Sequence, residues 1–467
     1  MEMHSFKARP MRPASDARSG IDFLPQNPFG EKGPYVVSRP SSMRSGHFAK
    51  HVSSPPSESS STPSAKPHAK FKSSRLTGEY EKPWLTNRDP RMKYDRIFFW
   101  VFGLIGCGIG AYLAYTGWTS FTPQNYCLQW EDDFRNGIDP AHWSFDIQTG
   151  GFGTGSFDWT TDDEQNAYTD GEGLHIVPTL TIESTDITEG QLLDGYTLNL
   201  TRDGTCTSTD YTQCSVRSNK TSDVIINPVR SARLVTRGKQ TLKYGKIEVV
   251  AKLPKGDWLW PAIWMMPEES VYGVWPKSGE IDIMESRGNG RDGFGRNAVG
   301  GALHWGPSTE LDQFQKTLGF SPLSRGDYSD DFHTFGVLWS PNYILVYVDF
   351  VLRQSIYVPF GKSAGDMYSR GGFGGMDVKG NGPPGNPWAS SPNPNAPFDR
   401  DFYLILNVAV GGTSGYFPDG VDGKPWADKV NGSAKAFWQA RNSWEPTWGQ
   451  GDARGMTVKK VSMWNVC

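Results

Sequence analysis

The sequence predicts an all-β fold, an antiparallel sandwich or jelly roll, that follows a polar tail and one membrane-spanning helix. After residue 119 the chain contains many short runs of alternating apolar and polar residues, separated by turns with Gly, Pro and Asn. Such runs are typical of strands. No long stretch of helical periodicity occurs in that part of the chain, which favours an antiparallel all-β domain. Aromatic residues make up 13% of the chain, a content that suits β structure.

The first element is the tail, residues 1–96, which is rich in Ser, Pro, Lys and Arg. It shows no apolar periodicity, so we expect it to be disordered. It holds 17 Lys and Arg against 9 Asp and Glu, whereas the remaining residues hold 30 against 41. Because no base-stacking motif or zinc pattern accompanies this basic excess, we expect a solvated tail and no nucleic-acid partner.

The second element is an uncharged segment of 22 residues, Ile97 to Trp118. As a helix it would be about 33 Å long, at ~1.5 Å per residue, which is enough to cross a bilayer core. A buried core helix is the alternative, but a soluble helix needs a polar face and this segment has none. A cleaved signal peptide would begin near residue 1. We therefore predict a transmembrane signal anchor over residues 97–118.

Charges on either side of this segment predict its orientation. Arg88, Arg91, Lys93 and Arg96 precede it, and the acidic residues 131–133 follow it. The positive-inside rule then places the N-terminus in the cytosol and residues 119–467 in the lumen or outside the cell. We predict a single-pass type II membrane protein of the secretory pathway, and the sequence does not distinguish the Golgi from the plasma membrane or cell wall.

Cysteines fit this topology. Cys107 lies in the predicted span, and the other four lie on the oxidising side. Four cysteines allow three pairings. We favour Cys206–Cys214, which closes a short polar loop, and Cys127–Cys467, which ties the first strand of the domain to residue 467. Free buried thiols are the alternative.

The third element is the domain itself, residues 119–467, in which we find no second linker and no internal repeat. The sequence SPNY, residues 340–343, separates two β-rich runs and predicts a hairpin turn. Three sequons lie on the predicted lumenal side and could carry glycans; they begin at Asn199, Asn219 and Asn431. The runs that predict strands are LHIVPTLTIE, YGKIEVVAKL, FGVLWSPNYILVYVDF, FYLILNVAV and MTVKKVSMWNV.

Three acids in the sequence SGEIDIMES are out of step with a regular strand. Glu280 and Asp282 share a face, but Glu285 would point to the opposite one. A β-bulge with one extra residue, for which we favour Met284, would return Glu285 to the first face. The alternative is an ordinary exposed strand whose acids meet a calcium ion or a lysine.

Three carboxylates on one face repel one another, so their clustering needs a reason. Two carboxylates that flank a glycosidic bond, about 5–5.5 Å apart, act as nucleophile and general acid/base in a retaining hydrolysis. A third acid between them helps to set which neighbour is ionised.

The stretch DWLWPAIWMMPEESVYGVWPKSGEIDIMESRGNG, residues 257–290, resembles the signature region of glycoside hydrolase family 16, with the motif E-x-D-x-x-E intact. The resemblance covers roughly residues 127–467 and is to the laminarinase-like branch, which includes fungal endo-β-1,3-glucanases and invertebrate β-1,3-glucan-recognition proteins. We expect a membrane-anchored protein of the fungal type. Further matching stretches are WEDDF, GGFGTGSFDWTT, GLHIVPTLT, YGKIEVVAKLPKGDWLWPAIW, ALHWGP, FHTFGVLWSP and LNVAVGGTSGYFPD.

The resemblance implies a concanavalin A-like β-jelly roll with a glycan cleft across its concave sheet. It assigns Glu280 as nucleophile, Asp282 as assisting acid and Glu285 as acid/base. Water or an acceptor sugar would then release the glycosyl-enzyme, giving hydrolysis or transfer. We expect no cofactor, although this fold can hold a structural calcium ion, whose ligands the sequence does not identify.

Substrate-binding candidates are aromatic rings, which pack on the apolar faces of sugars, and polar groups, which meet the hydroxyls. His304 either hydrogen-bonds a catalytic carboxylate or is a structural histidine, and for His333 we favour the structural role. The candidates are Trp260, Trp264, Trp275, His304, Trp305, Asn407 and Trp444.

Three functions compete on this sequence. The leading one is a retaining hydrolase or transglycosylase of β-1,3-glucan, and also of β-1,3/1,4-glucan in a broader reading. The second is a glucan-binding protein without turnover; the recognition proteins lack catalytic acids, whereas this chain keeps all three. The third is a membrane scaffold for wall-glucan assembly whose tail binds sorting partners. The expected partners are β-glucan and a membrane, and the sequence does not indicate the oligomeric state.

Overall fold

The structure is a computed structural model. Most of the predicted tail, including Arg88, lies outside the described residues, so its predicted disorder stays a prediction. The described residues are 75, 77–83, 89–120, 124–290, 294–361 and 364–467.

Helix α1 (Met92–Ser120) contains the predicted span. Within the part of the chain that the structure describes, it is the one helix long and apolar enough to cross a membrane. None of its apolar window, Met92–Gly117, is buried against the protein. The alternative of a buried core helix therefore does not describe α1, and its membrane location rests on length and composition.

The other helices are short. They are α2 (Thr181–Ser184), α3 (Glu189–Leu193), α4 (Met367–Gly371), α5 (Ser433–Gln439) and α6 (Arg441–Trp444). The strands are β1 (Tyr126–Asp132), β2 (Ser144–Phe145), β3 (Asp158–Thr160), β4 (Ala167–Thr169), β5 (Leu174–Ile176), β6 (Thr179–Leu180), β7 (Thr197–Asn199), β8 (Ser215–Arg217), β9 (Val229–Ser231), β10 (Arg233–Val235), β11 (Thr241–Leu242), β12 (Gly245–Lys252), β13 (Leu259–Pro267), β14 (Glu280–Glu285), β15 (Ala298–His304), β16 (Gly319–Pro322), β17 (His333–Trp339), β18 (Tyr343–Val348), β19 (Gln354–Pro359), β20 (Phe402–Val410) and β21 (Met456–Val466).

Two antiparallel eight-stranded sheets form the predicted sandwich. The back sheet has the order β19-β18-β17-β12-β21-β5-β4, with β1 also paired to β21. The cleft sheet has the order β16-β15-β14-β13-β20-β10-β2, with β11 also paired to β20. Alternating side chains of the two sheets meet in one core: Ile247 and Val249 of β12 and Ile281 of β14 belong to the same buried cluster. The fold class is confirmed.

Several predicted strands form as the alternation indicates. The runs MTVKKVSMWNV and FYLILNVAV are β21 and β20, and residues 340–342 join β17 to β18 in a hairpin in which the Ser340 N–H donates to the Tyr343 carbonyl. The run LHIVPTLTIE differs from the prediction. It is divided among β5, β6 and helix α2, because Pro178 has no N–H to continue the ladder.

Both favoured disulfides are present. Cys127–Cys467 bridges residues 340 apart in the sequence, and Cys206–Cys214 bridges residues 8 apart. Cys107 in α1 is a free thiol. Among the sequon residues, Asn219 and Asn431 are exposed and Asn199 is half-buried.

Candidate active site

Strand β14 changes phase between its second and third acids. On its β15 side, Asp282 lies opposite Ala302 and Glu285 lies opposite Gly300, so that two residues of β14 face one residue of β15. This is the two-against-one count of a β-bulge. Glu285 thereby returns to the face that Asp282 occupies, as the sequence predicts.

The same bulge on the β13 side refines the prediction by one residue. Asp282 pairs with Trp264 and Met284 pairs with Ile263, which leaves Ile283 without a partner on β13. The extra residue on this side is therefore Ile283, not Met284. Both side chains are buried in the core, so the bulge directs apolar groups inward and acids toward the cleft.

The cleft cluster consists of Glu280, Asp282, Glu285 and His304. The His304 Nε2 atom lies 3.3 Å from Asp282 Oδ2 and 3.9 Å from Glu280 Oε1. The three acids interact electrostatically, so their protonation states depend on one another.

Glu280 lies between the Trp275 indole and the His304 imidazole. Trp275 Nε1 donates a 2.9 Å hydrogen bond to Glu280 Oε2. The His304 Nε2 atom lies 3.9 Å from the Oε1 atom of Glu280.

Asp282 is the most deeply buried of the three acids, with 2% of its surface exposed. Burial raises the pKa of Asp282 well above its usual range, and the charges of Glu280 and Glu285 raise it further, against an opposing effect of His304. The raised pKa favours the protonated form of Asp282 relative to an ordinary aspartate.

Glu285 accepts a 2.8 Å hydrogen bond from Trp260 Nε1 on its Oε1 atom. Burial raises the pKa of Glu285, while the charge of His304 and the Trp260 hydrogen bond work in the opposite direction. A carboxyl group with a raised pKa is suited to donate a proton near neutral pH. Glu280 and Glu285 thus differ in environment, as a nucleophile and an acid must.

His304 lies between the acid trio and a fourth carboxylate. Its Nδ1 atom lies 2.5 Å from Asp312 Oδ2, and its ring stacks on Phe314 at 4.9 Å. Burial lowers the pKa of His304, but the charges of Glu280, Asp282 and Asp312 outweigh burial and raise it to about 10. His304 is therefore a cation at neutral pH, and it offsets part of the negative charge of the cluster.

Four of the other predicted binding residues lie at this site. Trp275 donates a hydrogen bond to Glu280, and Trp260 donates one to Glu285. Trp264 Nε1 donates to Asn407 Oδ1 at 2.7 Å, and Asn407 lies on β20 opposite Ala262 of β13, which in turn lies opposite Glu285. Asn407 is thus two strands from Glu285 on the same face of the cleft sheet.

The prediction that Trp305 and Trp444 bind sugar is wrong. Trp305 is 0% exposed, donates to Thr317 Oγ1 and packs in the core. Trp444 is 1% exposed, donates to the Phe437 carbonyl and stacks on the Phe437 ring at 4.3 Å. Neither indole presents a face to a ligand.

His333 is on the back sheet beside Asp349, 3.1 Å away, which fits the favoured structural role.

Three residues that lie at the site were not identified from the sequence: Asp312, Tyr416 and Arg233. Asp312 holds His304, as described above. Tyr416 stacks on Trp260 at 3.8 Å with nearly parallel rings, and burial and the charge of Glu285 raise the pKa of its hydroxyl well above the usual range. The Arg233 guanidinium lies 4.0 Å from the centroid of Phe152. Tyr416 lies in the family-like stretch GGTSGYFPD, which was the one available signal for it.

Clusters of acidic and histidine side chains in the described part of the chain are candidates for a metal ion. Two groups of three side chains place ligand atoms within 4.8 Å of one another: Glu280, Asp282 and His304, and Asp170, His175 and Asp452. Each contains a histidine nitrogen, whereas calcium takes six to eight oxygen ligands. Neither group fits that ion.

Comparisons of the amino-acid sequence identify relatives of this chain. Residues 200–393 match the sequence model of the family described as "Glycosyl hydrolases family 16". The chain is 41% identical over 348 residues to a protein of Penaeus monodon named "Beta-1,3-glucan-binding protein", which covers 73% of this chain and 90% of that protein. It is 31% identical over 296 residues to a "Glucan endo-1,3-beta-glucosidase" of Cryptopygus antarcticus, covering 63% of this chain and 83% of that protein.

Among solved structures, the chain is similar to the laminarinase from Rhodothermus marinus. The TM-score is 0.45 at 24% sequence identity, and the match covers 74% of this chain and 100% of the laminarinase chain.

Proposed function

The chain belongs to glycosyl hydrolase family 16, and from this premise we propose that it is a retaining enzyme that cleaves or transglycosylates β-1,3-glucan. The observation that carries the proposal is the cleft cluster: three carboxylates on one face, in unlike environments. Glu280 accepts a hydrogen bond from Trp275 and lies beside a cation, whereas burial raises the pKa of Glu285. This difference supports a nucleophile and an acid on the same strand.

In the first step, Glu280 attacks the anomeric carbon while Glu285 gives its proton to the departing glycosidic oxygen. Asp282 lies beside both glutamates, and its electrostatic interaction with each of them couples their protonation states. Glu285, now ionised, removes a proton from water or from an acceptor hydroxyl, which attacks the glycosyl-enzyme and frees Glu280. The two displacements restore the starting configuration.

A glucan-binding protein without turnover is the second candidate, because the relative that is 41% identical is named for binding. The two candidates differ in what a single neutral substitution does. Glu280→Gln removes the nucleophile and keeps the size of the side chain. We expect it to abolish the release of reducing ends from laminarin while laminarin binding stays within about twofold.

Glu164→Gln is the matched control, since Glu164 is an exposed glutamate before β4 on the back sheet. It should release reducing ends like the unsubstituted protein. Equal reducing-end signals from the unsubstituted protein, Glu280→Gln and a protein-free blank would favour the binding protein. Proton NMR of the first product reports retention, and the chain lengths of the products on laminarin and on mixed-linkage glucan report endo action and linkage.

We also propose that the enzyme is displayed by a type II anchor, a membrane-bound protein of the fungal type that acts on cell-wall glucan. Helix α1 supports this by its length and composition, and the two disulfides suit an oxidising compartment. The full chain should resist extraction from membranes at alkaline pH. Protease added to sealed cytosol-side-out vesicles should remove the tail and spare the β domain, and loss of the β domain instead would reverse the proposed topology.

A further inference from the structure

The cleft sheet continues beyond Glu285 toward its edge strand. Glu285 lies opposite Gly300 of β15, and Gly300 lies opposite Phe320 of β16. Residues directly opposite one another in antiparallel strands project from the same face. Phe320 is therefore on the face that carries the acids, two strands and about 10 Å away from Glu285 along the sheet.

The Phe320 ring leans over Gly300 toward Glu285. A Cβ atom at Gly300 would lie 3.3 Å from the Phe320 ring and 3.6 Å from the ring of Phe294. A side chain at Gly300 would therefore press against both rings. Glycine at this position lets Phe320 and Phe294 lie close to the strand that pairs with Glu285.

Phe320 and Phe294 form an aromatic surface beside Gly300. Phe320 is 42% exposed, and its centroid lies 4.8 Å from that of Phe294 at an interplanar angle of 58°. The Arg287 guanidinium lies 4.9 Å from the Phe294 centroid and 5.0 Å from that of Tyr416. These contacts hold the rings in place. An exposed apolar surface fixed beside a catalytic acid is a binding site for a partly apolar ligand.

The opposite arm of the cleft has different chemistry. It carries Asn407, Trp264 and Arg233, whose guanidinium lies 4.7 Å from the Trp264 ring. Asn407, whose Oδ1 atom accepts from Trp264, can offer its amide N–H groups to a sugar hydroxyl. An apolar platform with few hydrogen-bonding groups suits the sugar that must arrive and leave within one cycle.

We propose that Phe320 and Phe294 form a subsite for a glucosyl residue of β-1,3-glucan on the leaving-group and acceptor side of Glu285. The apolar face of the sugar ring packs on Phe320, above Gly300. This inference rests on the proposed function and deepens it, because it assigns one arm of the cleft to the acceptor.

The test compares two substrates that share a donor part but differ in the leaving group. A laminari-oligosaccharide places glucosyl residues on both sides of the cleaved bond, whereas an aryl β-laminaribioside has no sugar on the leaving side. For Phe320→Ala we expect kcat/KM for the oligosaccharide to fall by about tenfold more than kcat/KM for the aryl substrate. That difference is equivalent to about 1.4 kcal/mol. The ratio of transfer to hydrolysis, with a laminari-oligosaccharide acceptor added, should fall as well.

Phe320→Trp keeps an aromatic face and should restore most of the selectivity. Phe350→Ala is the matched control, because Phe350 is 58% exposed in the turn between β18 and β19 of the back sheet; it should leave both substrates unaffected. Equal losses on both substrates would place the platform on the donor side, and no loss would remove its role; either outcome overturns the inference. Failure of the proposed function is a separate result, in which the unsubstituted protein and Glu280→Gln are equally inactive on both substrates.

Discussion

Each of the two sheets contains a histidine between carboxylates, and the pKa values of these carboxylates shift in opposite directions in the two clusters. In the back-sheet cluster (Asp170, His175, Asp452), His175 Nε2 lies 2.8 Å from Asp170, and that hydrogen bond lowers the pKa of Asp170. In the cleft cluster, His304 lies among several acids, and burial raises the pKa values of Asp282 and Glu285.

The difference follows from burial and from the ratio of acids to cations. Asp170 is 46% exposed and shares its histidine with one other acid, so ionisation costs little. Asp282 is buried beside two more acids, and one histidine cannot neutralise them all. Similar residues thus make an ordinary ion pair on one sheet and a proton-holding site on the other. The predictions below test that contrast.

The largest effect is expected from Glu285→Gln, which removes the proton donor. We expect kcat/KM on laminarin to fall by about 10²- to 10⁴-fold, the usual worth of general acid catalysis. An aryl glucoside with a good leaving group needs little protonation, so its first step should lose far less. Asp170→Asn, the matched change in the back-sheet cluster, should leave turnover unaltered. A loss that is equal for both substrates would contradict the acid role.

The next effect concerns the aromatic donor of each cluster. Trp275→Phe removes the hydrogen bond to Glu280 Oε2 and keeps a ring, and we expect kcat to fall by about 10- to 100-fold, as for loss of a bond to a charged group. The Tyr168 hydroxyl donates to Asp452 in the back-sheet cluster. Tyr168→Phe should change only thermal stability. If Trp275→Phe raises KM alone, Trp275 binds sugar and does not support the nucleophile.

A smaller effect is expected from His304→Gln. The charge of His304 lowers the pKa of Glu285. Activity needs protonated Glu285, so it declines as pH rises through that pKa; without His304 the pKa is higher, and the alkaline limb of kcat/KM should move to higher pH. At neutral pH we expect about a tenfold loss. His175→Gln should not move that limb, and an unmoved limb in His304→Gln would contradict the assignment.

The smallest effect is on stability and belongs to Asp170. Its folded-state pKa is lowered, so ionised Asp170 contributes stability above its unfolded pKa, and the contribution is lost as pH falls through the folded pKa. Because Asp170 is nearly half exposed, the contribution should be under about 1 kcal/mol. Urea unfolding of Asp170→Asn should show this deficit at pH 7 and none at pH 2; a deficit that persists in acid would indicate lost packing instead.

Strand periodicity explains which site residues could be predicted. Trp260 and Trp264 lie four residues apart on β13 and therefore share one face of the strand, and both reach the cleft. The same rule could have excluded Trp305, because His304 faces the acids across β15 and the next residue must face the core. Trp444 lies in helix α6, where no strand pattern indicated its direction.

Contacts between distant segments were beyond the reach of periodicity. Asp312 contacts His304 from a loop. Tyr416 stacks on Trp260 although the two residues are 156 positions apart in the sequence. The bulge was predictable because three acids had to share one face, but its unpaired residue depends on how β13 packs. The disulfides were predictable from cysteine number and compartment.

The Cys127–Cys467 bridge bears on how the domain would respond to mechanical load. Tyr126 pairs with Val466, and the Cys467 N–H donates to the Asn125 carbonyl, so the bridge sits at the very end of the β1–β21 ladder. Because Tyr126 precedes Cys127, a pull on the chain at residue 124 could separate only the Tyr126–Val466 pair before the load reached the covalent bridge. A domain anchored through α1, as proposed above, would therefore keep the rest of the β1–β21 ladder paired under that load.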